Sequence, residues 1–521
     1  MLGNSVLRLL VLVYAPAVLA AIAWNVAACI LMFRARRAHT RPWRYASYVS
    51  GALMLPAFIA DVGRMDPKTA AFTWVAWLYP ACFALAAAAN LRWFALGRAR
   101  WWQVPIPLLN ALLAVVYLAR YASYLGLQLG ALLGGLLVSY AMVQSACTTF
   151  LYVFVPIFNW LPALLIPVDR SSTRVRALNV APPVACGVLL VAVLALLPRG
   201  FTIAASWQAD PLMTVPRDRR DFRPGVVFRV PRDPPPTQES LSDELALIGE
   251  LGARAVNLFV HDDLMSHPER AAAVGDFVTS LRRDGVTIII TADYPGSWAL
   301  RPPISLDASL AAMAPFHEFL ATRYRPDILV PVIEPYGAYV ALTTMRHTPA
   351  AWQAALSGAV EVIHRRAPGV RCAAYLGQSD DDRELYRLLC GVEGGVDVVG
   401  FSFYAVYQTR AETSDALARV AGWVDAYGDT REHWVFEYGQ SPVTMGGERA
   451  QSGFVRLVAS WAAAQSPFHG VCVFALGDHD EKLGLVSATG KRRRAFTNYQ
   501  ALARRLRGDD APLPEGGPSG P

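Results

Sequence analysis

Paired cysteines are missing from this sequence. Its seven cysteines, Cys29, Cys82, Cys147, Cys186, Cys372, Cys390 and Cys472, stand singly with no CxxC. That spacing indicates neither a disulfide framework nor a zinc site, and each is expected to be a small buried hydrophobe. Acidic residues are nearly absent from the first 200 positions, where only Asp61, Asp66 and Asp169 face 16 Lys and Arg. The overall +7 charge therefore conceals a split, because the rest of the chain carries 32 basic and 38 acidic groups. A basic balance confined to the apolar half reflects membrane topology and argues against nucleic acid as a partner, which would need a positive patch on the soluble surface. No row of carboxylates or histidines crosses the apolar segments, as coupling in a transporter would require. The first apolar run, 6–33, is too long for a signal peptide and ends in Arg34, Arg36 and Arg37 like a membrane span.

What is present is abundant apolar sequence: 54% hydrophobic residues and a mean hydropathy of +0.30. Stretches of about 20 apolar residues, enough to span a bilayer, fall near 6–33, 45–62, 69–91, 104–125, 127–149 and 178–198. Between the last two, 150–168 holds Pro156, Pro162, Pro167 and Asn159, which suits an interfacial or re-entrant piece better than a seventh span. Five arginines at 34–44, three at 92–100 and three at 170–176 place those loops in the cytoplasm by the positive-inside rule. Six spans then put the remainder of the chain outside the cytoplasm, and the predicted location is the inner membrane of a bacterium.

The sequence divides into a transmembrane domain at 1–198, a linker at 199–224, a soluble domain at 225–507 and a disordered tail at 508–521. Over 225–507, eight short β-branched runs alternate with amphipathic helical patterns. The predicted strands are 225–230, 254–260, 286–292, 328–334, 370–376, 396–403, 433–437 and 470–476. That count and length match a (β/α)8 TIM barrel. An open doubly wound sheet is disfavoured because RVPRDPPP follows the first strand where a glycine-rich phosphate loop would be needed. The fold class is thus a multi-pass α-helical membrane domain followed by an α/β (β/α)8 barrel.

Reactive groups in such barrels sit at the carboxyl ends of the strands. There the sequence offers Glu334 in PVIEPYG and Glu437 in HWVFEYGQS. Two carboxyl groups about 5–5.5 Å apart can cleave a glycosidic bond with retention, one as acid/base and one as nucleophile. Glu334 as the acid needs a raised pKa, which the charge of Glu437 would supply. Tyr294, Trp298, Tyr336, Tyr404 and Tyr438 crowd the same ends and suit the C–H faces of sugars, and Asn257 on the second strand is a further candidate substrate ligand. Asp478, His479, Asp480 and Glu481 form a solvated loop, and no metal or other cofactor is expected. Only His261 falls at a strand end, too few histidines for a metal-dependent hydrolase.

Residues 225–507 resemble the retaining glycoside hydrolases of clan A. VIEPYG is similar to that family's Asn-Glu-Pro segment, WVFEYGQS to its nucleophile strand, VGFSFYAVY to its sixth strand with a tyrosine that bonds the nucleophile, and GLVSATGKRRRAFTNYQAL to its ending. The resemblance implies a (β/α)8 barrel with Glu334 as acid/base and Glu437 as nucleophile. The sequence departs from the family pattern with Ile333 in place of Asn, Asn257 where some members carry Arg, Ser402 in place of His and Phe474 near the usual Trp. The expected function is a membrane-anchored glycosidase acting on an envelope or exported polysaccharide. The alternative is a catalytically silent, glycan-binding barrel working beside polysaccharide synthesis or export proteins.

Overall fold

A computed structural model of the protein describes residues 78–124, 129–150, 163–165, 177–208 and most of 219–508, with a few positions between 23 and 30. Most of the first predicted span, all of the second, and the tail from 509 onward lie outside the described residues. The chain divides into two compact units, one mainly Val6–Gln208 and one mainly Ala209–Ser441 with Gln451–Pro521.

The first unit holds four described helices: α1 (Leu78–Ala95), α2 (Pro105–Tyr124), α3 (Ala131–Phe150) and α4 (Ala177–Ser206). By length and composition, two stretches among the described residues can cross a membrane, Trp101–Ala122 and Pro182–Ser206. Helix α4 runs past the predicted end at 198 despite Pro198 within it. A proline withholds one N–H and crowds one carbonyl, and the apolar sequence on both sides carries the helix through. Tyr79, Phe83, Tyr117 and Tyr140 are buried and pack against one another. On the outside, Leu108, Val115 and Leu118 of α2 and Val184, Val188, Val191 and Leu194 of α4 are exposed.

Part of the proline-rich 150–168 segment is described, and Ala163–Leu165 is buried and not helical. Buried backbone without secondary structure must find side-chain partners, and here asparagines supply them. Asn110 accepts from the Ala163 N–H at 3.2 Å and donates to the Ala163 carbonyl at 2.8 Å. Asn90 donates to the same carbonyl at 2.8 Å and accepts from the Leu165 N–H at 2.8 Å. Asn25 accepts from the Leu164 N–H at 2.9 Å, and Trp24 donates to the Leu164 carbonyl at 2.9 Å. Each asparagine amide offers a donor and an acceptor, the complement of a peptide group.

The second unit is a closed barrel of eight parallel strands in sequential order: β1 (Arg223–Arg229), β2 (Ala255–Val260), β3 (Thr287–Ala292), β4 (Ile328–Val330), β5 (Arg371–Leu376), β6 (Val398–Tyr404), β7 (Glu432–Gly439) and β8 (Phe468–Val473). The connecting helices are α5 (Gln238–Leu251), α6 (Pro268–Arg283), α7 (Leu306–Tyr324), α8 (Ala338–Thr343), α9 (Pro349–Arg366), α10 (Asp380–Cys390), α11 (Arg410–Tyr427), α12 (Glu448–Ala464) and α13 (Arg494–Leu506). Apolar runs buried on both faces are what a helix-covered parallel sheet demands, and β2 and β3 are buried throughout. Helix starts follow capping chemistry: Thr237, Ser305, Thr348 and Ser379 each accept a backbone N–H of the first turn. Pairing of β1 with β8 closes the barrel, and Tyr499 of α13 caps β1, its hydroxyl accepting from the Gly225 N–H at 2.9 Å and donating to the Gly225 carbonyl at 2.8 Å. Arg371 pairs with Glu432 near the strand starts, and the Trp434 indole N–H donates to Glu432 at 2.6 Å.

Two predicted strands end early, β8 at Val473 rather than 476 and, more severely, β4. β4 ends at Val330 rather than 334, because Pro331 has no N–H for the ladder. Glu334 therefore stands in a turn beyond the strand, with φ of 36°, a left-handed conformation uncommon outside glycine.

Candidate active site

The turn after β4 aims the Glu334 side chain. Its carbonyl accepts from the Gly337 N–H at 3.0 Å and the Tyr339 N–H at 3.2 Å, so the backbone folds tightly around it. The carboxylate accepts a hydrogen bond from the Ser402 hydroxyl of β6 and another from the Ala338 backbone N–H. A side chain at 337 would collide with it, since a Cβ there would lie 2.4 Å from Oε2. Gly337 is needed for that close approach.

Glu437 reaches the same region through an irregularity in β7. Along this strand Trp434 and Phe436 face the barrel interior: Phe436 packs on Tyr375 at 5.7 Å and would overlap a side chain at Gly400, and Trp434 would overlap one at Gly470. Strict alternation would send Glu437 outward into the helix layer. The register shifts at this point, Phe401 pairing with Val435 and Ser402 with Glu437. One extra residue in a strand resets its alternation, so Glu437 joins Phe436 on the inner side while Tyr438 faces out. The Glu437 Oε2 accepts from the Tyr375 hydroxyl of β5 at 2.7 Å. Ser402, register partner of Glu437, is also the residue that bonds Glu334, which brings the two carboxylates to one mouth.

Burial pushes the Glu334 carboxyl above its ordinary pKa; the Ser402 and Ala338 hydrogen bonds oppose that shift, while the charge of Asp382 reinforces it. Asp382 is buried in the first turn of α10 and accepts from the N–H groups of Gly377 (3.0 Å) and Ser379 (2.9 Å) and from the Ser379 hydroxyl (2.5 Å). Burial, then the charges of Glu437 and Glu334, push the Tyr375 phenol well above its ordinary value. Tyr375 thus stays protonated and can only donate to Glu437.

The other sequence candidates separate into two groups. Tyr336 has a buried hydroxyl with no hydrogen-bond partner among the described residues, and Tyr404 ends β6 with its ring 6.3 Å from Phe474. Tyr294 donates to the Ile333 carbonyl at 2.6 Å, steadying the turn that carries Glu334. Its ring stacks on Trp298 at 5.6 Å and meets Tyr339 edge-on. Tyr294 and Trp298 are therefore packed wall, largely closed to solvent. Two candidates are not brought to the mouth. Asn257 is fully buried in the barrel interior, donating to the Phe436 carbonyl at 3.1 Å and accepting from Thr291 at 2.7 Å. Tyr438 packs against Phe454 of α12, on the side the bulge turned away.

Tyr375 and Asp382 escaped the sequence reading. Tyr375 shares the inward parity of β5 with Ala373, a signal that needed the register to interpret. At the ends of β1 to β3, Asp293 lies 3.0 Å from His261 and 4.0 Å from Arg229, and its carboxyl is held below the ordinary range against the opposing effect of burial. After β8, Asp478 is tied to buried Arg493 at 2.7 Å, a structural role; 479–482 lie outside the described residues.

No family model matches the chain, and no curated protein is similar to it. Among solved structures it is similar to a β-glucuronidase from Faecalibacterium prausnitzii, with 15% identity and a TM-score of 0.43, over 55% of this chain and 49% of that one. It is also similar to a GH5 protein from Bifidobacterium longum in complex with Manβ1-4GlcNAc, with 13% identity and a TM-score of 0.45, over 55% and 78%. A β-glycosidase shows 15% identity and a TM-score of 0.45, over 57% of this chain and 99% of that one. The chain thus spans about half the length of the β-glucuronidase and nearly all of the β-glycosidase, and in each comparison the similarity covers little more than half of this chain.

Proposed function

We propose that the barrel is a retaining glycoside hydrolase and that the helical unit tethers it to a membrane. The observation that carries this reading is the placement of Glu334 and Glu437 beyond β4 and at the end of β7, with Ser402 of β6 bonded to one and in register with the other. Glu334 protonates the glycosidic oxygen as the C–O bond breaks, and the Glu437 carboxylate attacks the anomeric carbon to form a glycosyl ester. Glu334, now a base, takes a proton from water as that water opens the ester, which frees the sugar and restores Glu437. A carboxyl raised by burial suits the acid step. An O–H donated to Glu437 favours its charged, nucleophilic form.

Anchoring is supported by the exposed apolar stripes of α2 and α4, which lipid would cover. The arginine-rich loops favour six spans with the barrel outside the cytoplasm, where envelope or exported polysaccharide is the available substrate. The test is a panel of activated aryl glycosides offered to the full chain in detergent. Hydrolysis of at least one, abolished in Glu437→Gln, supports the reading. Oligosaccharide binding without cleavage would replace it with a glycan-binding barrel in a polysaccharide assembly.

A further inference from the structure

On the face opposite the carboxylates, three residues of different chemistry converge: His364 in the last turn of α9, Cys372 at the start of β5 and Asp397 just before β6. Their nitrogen, sulfur and oxygen ligand atoms all lie within 4.8 Å of one another, the one such group of three among the described residues. Tyr375 faces the barrel interior, so alternation turns Cys372 outward toward the helix layer, where α9 ends. We propose that His364, Cys372 and Asp397 form a zinc site with a fourth position left for water.

The bland alternative is that Asp397 merely ties down the start of β5, since its Oδ2 accepts from the Cys372 N–H at 2.7 Å. The preceding strands show that this tie needs neither of the other two residues. Asp327 accepts from the Ile288 N–H at 2.7 Å in the same way, with an isoleucine where β5 has cysteine. His364 and Cys372 are surplus to the tie. His364 Nε2 sits 3.3 Å from Asp397 Oδ2, yet no hydrogen bond joins them, and the Cys372 thiol has no hydrogen-bond partner among the described residues. A tetrahedral zinc with bonds of about 2.0–2.3 Å separates neighbouring ligand atoms by about 3.3–3.7 Å, so the His–Asp distance already fits.

Mixed imidazole, thiolate and carboxylate ligation with an outer backbone contact to the carboxylate suits zinc over calcium or magnesium, which prefer all-oxygen shells. A cysteine without a metal carries its proton at neutral pH. Zinc forms a Zn–S bond as the S–H bond breaks, and the proton leaves to solvent. The site lies by the strand starts, where barrels place stability rather than catalysis.

The experiment is a cobalt titration of the metal-free full chain in detergent, followed by zinc. The proposal expects one equivalent of cobalt, a thiolate-to-cobalt charge-transfer band with tetrahedral visible bands, displacement of both by zinc, and one proton released per metal. Cys372→Ser should remove the charge-transfer band, and His364→Ala, at a half-exposed helix end that tolerates change, should weaken binding by more than about a hundredfold. No saturable band in the parent overturns the proposal. An undiminished band in Cys372→Ser, or unchanged affinity in His364→Ala, places the metal elsewhere and also overturns it.

Discussion

Replacing Ser402 with alanine removes the hydroxyl that donates to Glu334 and leaves the Ala338 N–H as the other donor identified on that carboxylate. The Ser402 bond stabilises the ionised form, so its loss raises the Glu334 pKa further. A hydrogen bond to a charged group contributes roughly 1.5–3 kcal/mol, and one pKa unit corresponds to about 1.4 kcal/mol. The remaining N–H and the partial access of water compensate some of this, so the expected rise is about one unit. A general acid must be protonated to act, and kcat/KM falls as pH rises through its pKa in the free enzyme. The alkaline limb of the kcat/KM profile should therefore move up by about one pH unit in Ser402→Ala. The assay needs a glycoside with a poor leaving group, because activated phenolates leave with little protonation. An alkaline limb that stays in place or moves down would refute Glu334 as the acid held by Ser402.

Gly337→Ala puts a methyl group against Glu334 Oε2, and since the side chain can swing, the fold survives while the acid is displaced. On poor leaving groups kcat/KM should fall by roughly 10²-fold, as for a misplacement of about 1 Å, while kcat/KM on activated glycosides, which reports only formation of the glycosyl ester, and the melting temperature stay nearly unchanged; equal loss of kcat/KM on both substrate classes would contradict this. Asn110→Ala strips two hydrogen bonds from Ala163 and orphans its buried N–H, which should cost the helical unit about 2–4 kcal/mol. Thermal unfolding of the full chain in detergent measures it, and a loss below about 0.5 kcal/mol would show that the Ala163–Leu165 segment is held by other contacts.

Hydrophobic pattern made the barrel legible. VNLFV, TIIIT and VVGFSF are apolar on both faces, as strands between a filled interior and a helix layer must be, and the observed strands fall within a few residues of those expected. What periodicity could not supply was aim. A strict period of two turns Glu437 and Tyr438 the wrong way round, and only the register shift beside Ser402 puts the glutamate inside and the tyrosine out. Asn257 on the second strand read as a substrate ligand because sequence does not show how deep in the barrel a residue sits; its amide is consumed by Thr291 and the Phe436 carbonyl. Tyr375 lay hidden because its partner is 62 positions away. In the helical unit the prolines of 150–168 pointed to an interfacial or re-entrant piece, while nothing in the sequence singled out Asn25, Asn90 and Asn110 as its partners. The backbone they satisfy lies far off in sequence.

Rescue by azide tests the division of labour between the two glutamates most directly. With an aryl glycoside that the parent cleaves, Glu334→Ala should lose turnover of the glycosyl ester and regain it with azide, giving a glycosyl azide of retained configuration, because azide occupies the space of the missing base. Glu437→Ala has no nucleophile, so azide entering from that face should give the inverted glycosyl azide; proton NMR of the anomeric centre distinguishes the two. Products of opposite configuration from the two variants are the predicted result. Wild-type hydrolysis in both variants, or azides of the same configuration from both, would contradict the assignment.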